Sequence, residues 1–324
     1  MFISLVKINI RRQERMKRIL SIVATVAAVF TLSAQQDPLN TLFVQNPSLA
    51  NPAYAGAKEV MSVNLGTRVQ WTGIDGAPRT SNLNFSTPLQ GNSISVGFNV
   101  LSDKIGPTNQ TGLFADIAYK LPIDNRSSLR VGIRAGVSLF TANLTELELS
   151  QGTGSTDVAF AQDFNGEILP NIGMGVYYEN EKIFAGISVP SLIGFEIEGD
   201  DANGTRSFGK KQHIFGMVGG KFEMSSDLTL RPAITARFLP SAPVSVDVQV
   251  IADLYEKFGI GAMYRHQDAV AAIIQFSLSE QLKLGYSYDF GMSDYGNYNN
   301  GSHEIMLGFD FIYRKGRVNS PRYF

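Results

Sequence analysis

LKLGYSYDF, residues Leu282–Phe290, puts Leu282, Leu284, Tyr286, Tyr288 and Phe290 on one face and Lys283, Gly285, Ser287 and Asp289 on the other. After a polar stretch, HEIMLGFDFIY (His303–Tyr313) does the same. Ile305, Leu307, Phe309, Phe311 and Tyr313 oppose Glu304, Met306, Gly308 and Asp310. Alternation of this length is the period of a β-strand, whose side chains point to opposite faces in turn. The apolar face is aromatic and too large to leave in water, while the other carries charges that a packed soluble core rejects unless paired. A membrane barrel satisfies both, with lipid outside and a polar lumen within.

Working outward, the same pattern recurs through the chain. Met61, Val63, Leu65, Val69 and Trp71 share a face; Leu83, Phe85 and Leu89 the next; then Ile94 to Val100, Leu113 to Leu121 and Leu129 to Leu139. Pro170 to Tyr178 and Ile183 to Val189 follow, and Lys211 to Met224 is ambiguous in phase. Leu228 to Phe238, Val244 to Leu254, Phe258 to Tyr264 and Val270 to Leu278 complete the series before the last two. The tally is about fourteen, an even number as single-chain barrels require. The links agree. Those at Gln90-Gly91, Asp124–Ser127, Asn180-Glu181, Ser225-Ser226, Glu256 and Glu280 are short, and every second link belongs on the periplasmic side. The long ones, Ala142–Glu167, Leu192–Lys210 and Gly291–Ser302, all fall on the opposite side. The sequence therefore predicts an all-β, antiparallel outer-membrane barrel over residues 60–313. Tyr119, Tyr177, Tyr178, Tyr255, Tyr264, Tyr286, Tyr288 and Tyr313 stand near strand ends, where an aromatic girdle is expected.

The 324 residues carry a formal charge of −1, which argues against a nucleic-acid partner. Only 18% are charged, and mean hydropathy is near zero, as expected where alternation hides the hydrophobic residues. Cysteine is absent, which excludes disulfides, thiolate metal sites and cysteine nucleophiles. Met16-Lys17-Arg18 precedes an apolar run, Ile19–Leu32, too short to span a bilayer as a helix. It reads as a secretory signal over residues 1–34, cleaved after Ala34, with Met16 the true start. Residues 35–59 do not alternate and contain the doubled Asn46-Pro47 and Asn51-Pro52. They form a turn-rich segment that either lines or plugs the barrel from the periplasmic side or is a simple lead-in; a packed segment is favoured. Residues 314–324 make a tail.

The face opposite the lipid carries both signs. Arg68, Lys120, Arg130, Arg134, Arg231, Arg237, Arg265 and Lys283 meet Asp116, Asp247, Asp253, Asp289, Glu304 and Asp310. Such a lumen is crossed by ion pairs or occupied by chain and is ill-suited to conduct fatty acids; a water-filled pore can be lined in the same way, so the mixture argues against a lipid transporter more than against a general porin. No catalytic constellation emerges. The histidines are His213, His266 and His303, and in Ser302-His303-Glu304 neighbouring side chains point opposite ways, so His303 and Glu304 form no dyad. Glu196, Glu198, Asp200 and Asp201, with Gly199 and Gly204, make an acidic outer loop. Calcium is one reading, but the spacing does not match the EF-hand loop, and a solvated loop is favoured. Glu146 and Glu148 share a loop without shaped burial, and no phosphate-binding glycine loop is present. No catalytic, cofactor or metal residue is assigned.

The order of motifs resembles a known family. Asn46-Pro47 through Asn51-Pro52-Ala53-Tyr54-Ala55-Gly56, Arg68 with Trp71, Gly76-Ala77-Pro78-Arg79-Thr80 and Pro88-Leu89 look like the amino end of the PorP/SprF family. These are membrane components of the type IX secretion and gliding machinery of the Bacteroidetes. The likeness continues in Pro170–Tyr178, Gly186–Pro190, Ala242–Asp247, Tyr286–Phe290 and Gly301–Leu307, and covers the whole mature chain. It implies a non-enzymatic outer-membrane barrel without cofactors. Such a barrel helps specific secreted cargo, often large adhesins recognised by a carboxy-terminal sorting domain, reach or stay on the cell surface. Its implied partners are that cargo, outer-membrane lipid and other secretion components, including periplasmic lipoproteins. A passive porin or small-solute transporter is the alternative, and a lipid-modifying enzyme using His303 a third class.

Overall fold

The computed structural model describes residues 40–312, except 90, 92, 146–147, 150–151, 154–162, 194, 200–205, 211, 241–242 and 293–297. The signal segment with its Met16 start, Tyr313, the tail and the Asp200-Asp201 pair lie outside the described residues. Fourteen long strands follow one another: β1 (Met61–Val69), β2 (Arg79–Pro88), β3 (Ile94–Ile105), β4 (Thr108–Pro122), β5 (Ser128–Ala142), β6 (Phe164–Glu179) and β7 (Ile183–Val189). The second half comprises β8 (Ile214–Gly220), β9 (Leu228–Phe238), β10 (Ser245–Leu254), β11 (Phe258–Arg265), β12 (Ala269–Ser277), β13 (Leu282–Gly291) and β14 (Ser302–Phe311). Each pairs antiparallel with its sequence neighbours. The sheet closes where β1 meets β14, from Met61 opposite Phe311 to Val69 opposite His303. Closure leaves no exposed edge of unpaired backbone.

The two faces separate as the alternation predicts. Leu65, Phe98, Ile133, Ile172, Ile187, Val248, Ile260 and Ile305 are exposed on the outside. Their strand neighbours Asn64, Asn99, Arg134, Asn171, Ser188, Asp247 and Glu304 are buried within. The ambiguous run resolves as β8, and Phe222–Glu223 continues its pairing with β9 beyond a break at Lys221. Thr141 lies at an irregularity in the β5–β6 ladder.

The short links share one rim and carry their own turn chemistry. Asp124 Oδ1 accepts from the N–H groups of Arg126 and Ser127, both at 2.7 Å. The Ser127 hydroxyl and these two N–H groups hold its carboxyl below the usual carboxylate range. Asn180 Oδ1 accepts from Lys182 and Ile183, and Ser279 Oγ from Gln281 and Leu282. The opposite, outer rim bears the long links. One stretch predicted as a plain loop, Leu192–Lys210, is instead built around a hairpin, Phe195–Gly199 paired with Arg206–Lys210. Its register sets Glu196 opposite Gly209 and Glu198 opposite Ser207, so these two acidic residues are strand positions. The 143–163 link likewise contains a small pairing, Glu148–Leu149 with Gly152–Thr153.

Candidate functional site

The lumen is filled by the chain's own amino-terminal segment. Residues 43–54 make three tight 3-10 turns, Phe43–Gln45, Pro47–Leu49 and Pro52–Tyr54. Pro47 and Pro52 start two of them, where a missing N–H costs nothing and the fixed φ is already suitable. Asn51 caps the third, its Oδ1 accepting from Ala53 N at 3.0 Å, while its Nδ2 donates to Val176 O of β6 at 3.0 Å. This is the turn-rich segment of the sequence, and it is a plug.

Its path runs from the outer rim to the short-turn rim. At the outer level, Thr41 N donates to Glu304 Oε2 at 2.7 Å and Thr41 Oγ1 to Asp289 Oδ2 at 2.7 Å. Arg68 joins the same group, reaching Asp289 at 2.7 Å, Glu304 at 3.3 Å and Thr41 Oγ1 at 3.1 Å. The network continues along the wall from Asp289 to Arg265 at 3.6 Å, Arg265 to Asp247 at 3.0 Å, and Asp247 to Arg237 at 3.0 Å. At mid-height a chain of amides leaves the plug: Asn46 bonds Asn84, Asn84 bonds Asn99, and Asn99 donates to Asp116 at 2.7 Å. Arg134 grips Asp116 with Nε at 2.7 Å and returns to the plug, donating to Ser48 O at 2.6 Å and Leu49 O at 2.9 Å. Lower still, Arg130 and Glu179 pair at 3.2 Å with both side chains 1% exposed. At the short-turn rim Lys58 meets Asp310 at 3.0 Å and Glu59 meets Lys120.

Apolar contacts complete the seat. Val44, Ala53, Tyr54 and Ala57 pack on Tyr177, Phe184, Met217 and Ala233, while Leu42 sits among Ile251, Met263, Ala271, Ile273 and Met306. Burying side chains such as Leu42 and Val44 contributes about 1.5–3 kcal/mol each. Tyr177, expected in the aromatic girdle, is wholly buried and meets Tyr54 edge-on at 5.2 Å between ring centres. It cannot share a face with Tyr178, because adjacent strand residues point opposite ways. Tyr119, Tyr255 and Tyr264 do stand exposed.

All the inward charges read from the sequence face the lumen; seven of the eight cations form the ion pairs above or the Arg231–Asp253 pair. Sequence reasoning missed the plug side of these contacts: Thr41, Asn46, Ser48, Asn51, Lys58 and Glu59. The absence of alternation together with the doubled Asn-Pro was their only signal. Beside the plug, a cavity of about 670 Å³ lies towards the short-turn rim, bounded by Gln45, Lys58, Arg231, Asp253 and Lys283.

The histidine readings also resolve. His303 faces outward with Nδ1 2.8 Å from Tyr286 Oη, while Glu304 faces inward to Thr41. Ser302 Oγ accepts from Trp71 N at 3.2 Å. His213 is buried next to Phe215, and His266 lies beside Tyr264. The three histidines are not brought together. Among the described residues no three potential metal donors gather.

A closed antiparallel sheet with an apolar outer wall, a charged inner wall and aromatic residues near its rims is an outer-membrane β-barrel, here filled by its own leading segment. The chain belongs to the family described as type IX secretion system membrane protein PorP/SprF, whose model matches residues 32–309. No curated protein matches the sequence. Among solved structures it is similar to the CymD monoaromatic hydrocarbon channel, at 12% identity over 88% of this chain and 96% of that one, with a TM-score of 0.49. A Pseudomonas aeruginosa FadL homologue shares 10% identity over 88% and 100%, TM-score 0.47, and the KdgM porin 9% over 78% and 99%, TM-score 0.39. These likenesses concern barrel architecture alone.

Proposed function

We propose that this barrel is a non-catalytic accessory of type IX secretion that helps particular cargo proteins leave the cell or remain on its surface. Adhesin-like proteins with carboxy-terminal sorting domains are the intended cargo. The observation that carries the reading is the plug: the side chains of Arg68, Asn84, Lys120, Arg134, Asp289 and Glu304, from six wall strands, bind residues 41–59, so the lumen is committed to internal structure. Recognition then belongs to the long outer links, since exposed loops on a rigid scaffold are where binding usually sits. The short-turn rim faces the periplasm, where lipoproteins of the machine would make contact.

Two measurements test this. The purified barrel in a planar bilayer is expected to be silent, and steady conductance would instead support a passive porin. Deleting residues 192–210 is expected to release cargo into the medium while the barrel still inserts; unchanged surface retention would remove that hairpin from the proposal.

A further inference from the structure

The outward wall of the fourteen strands is almost free of charge. Of all strand residues facing outward, only Arg79 and Lys104 carry a full charge at neutral pH. They are not scattered. The β2–β3 register sets Arg79 directly opposite Lys104, and both are exposed at the outer rim. Their neighbours confirm the direction, since Thr80 is buried in the lumen and donates to Asp103 at 2.6 Å, leaving Arg79 and Lys104 on the other face. Among the described residues neither has an ion pair.

Two like charges directly opposite in an antiparallel pair, with Cβ atoms about 4.5–5.5 Å apart, repel each other. The arrangement calls for an anion between them. One row below lies a run of hydroxyls, with Thr67 opposite Ser81, Ser81 opposite Ser102, and Ser102 opposite Thr111. Thr67 and Ser81 are 3.2 Å apart through their oxygens. Below that, Leu65, Leu83, Val100 and Leu113 begin the apolar band. Same-face rows are about 6.7 Å apart along a strand, or about 5 Å in height at the usual tilt. The hydroxyls therefore sit at the edge of the hydrocarbon and the cations one step above it, at headgroup height. Elsewhere the outer wall differs: Val248, Tyr264, Val270 and Phe290 carry apolar and aromatic groups almost to the same rim.

We propose that Arg79 and Lys104, above the Thr67–Ser81–Ser102–Thr111 row, form a lipid-facing site for the phosphate of an outer-leaflet lipid headgroup. The guanidinium offers paired donors and the ammonium a point charge, while the hydroxyls take the sugar or ester oxygens below.

The test titrates bisphosphorylated lipid A into the whole protein in neutral detergent micelles, reading bound lipid by native mass spectrometry. The double variant R79Q/K104Q is expected to bind roughly tenfold or more weakly, because charge-assisted bonds are lost on both sides. R79K/K104R should retain most of the affinity, and Lys257→Gln, an exposed cation at the other rim, should change nothing. Lipid A stripped of phosphate should bind wild type and R79Q/K104Q equally weakly. Equal affinity of wild type and R79Q/K104Q for the phosphorylated lipid, or a comparable loss from Lys257→Gln, overturns the proposal. Displacement by millimolar inorganic phosphate would place the ligand in solution and overturn the lipid assignment. Both side chains lie exposed on the outer wall, and heat-modifiable gel mobility verifies that each variant is folded.

Discussion

Gly132 lies on the inner wall of β5 beneath the plug, and a Cβ there would fall 2.3 Å from Ala53 N. Gly175 of β6 meets Asn51 Oδ1 in the same way, at 2.1 Å. The plug backbone lies against Gly132 and the Asn51 amide against Gly175, so no side chain fits at either wall position. Gly132→Val is expected to unseat the plug, at a cost of about 1–3 kcal/mol, and to turn a silent bilayer into a conducting one. Arg134 supplies a second test. Replacing it with Met strands the Asp116 carboxylate, which is buried, and leaves Ser48 O and Leu49 O without their donor. A loss of roughly 3–5 kcal/mol is expected from urea unfolding in lipid vesicles. At this scale parity made the inward charges legible, since Arg134 and Asp116 each stand one place from a clear apolar residue, Ile133 and Ile117, and so point the opposite way. Tyr177 was misplaced for the opposite reason: its chemistry suits a girdle, and only its position beside Tyr178 tells that it points inward.

Strands and turns were readable because their signals are local. Asp124, Asn180 and Ser279 each close their turn with bonds to residues two and three places on. The Lys211–Met224 run was obscure because Gly216, Gly219 and Gly220 leave few side chains to mark a face. The Phe195–Gly199 hairpin was hidden by acidic composition, which resembles that of a solvated loop. The plug was legible as a turn-rich, packed segment but its contacts were not, because its partners lie far away in sequence, as with Thr41 and Glu304. Removing residues 40–58 as a unit is expected to leave an inserted barrel with steady conductance, measured in planar bilayers. A silent deletion variant would show that something other than the plug blocks the lumen.

For the molecule as a whole, the outer wall sets the relation to the bilayer. Ile187 is 58% exposed near the middle of β7, among apolar neighbours. Ile187→Arg is expected to destabilise the inserted barrel by about 2–4 kcal/mol, read from the shift in its unfolding midpoint in vesicles. The inner face has a different logic, because seven of its eight cations are paired with carboxylates within the protein.

Thr41 bonds Arg68 on the first strand, Asp289 on the thirteenth and Glu304 on the last. Those residues meet only once the two ends of the sheet have found each other, so this cluster belongs to the final stage of assembly. By contrast, Asn46, Ser48, Asn51 and Ala53 rest on β2 to β6, which are contiguous in the chain and available before closure. The plug thus offers a core around which the sheet wraps, and Thr41 fastens the ring shut.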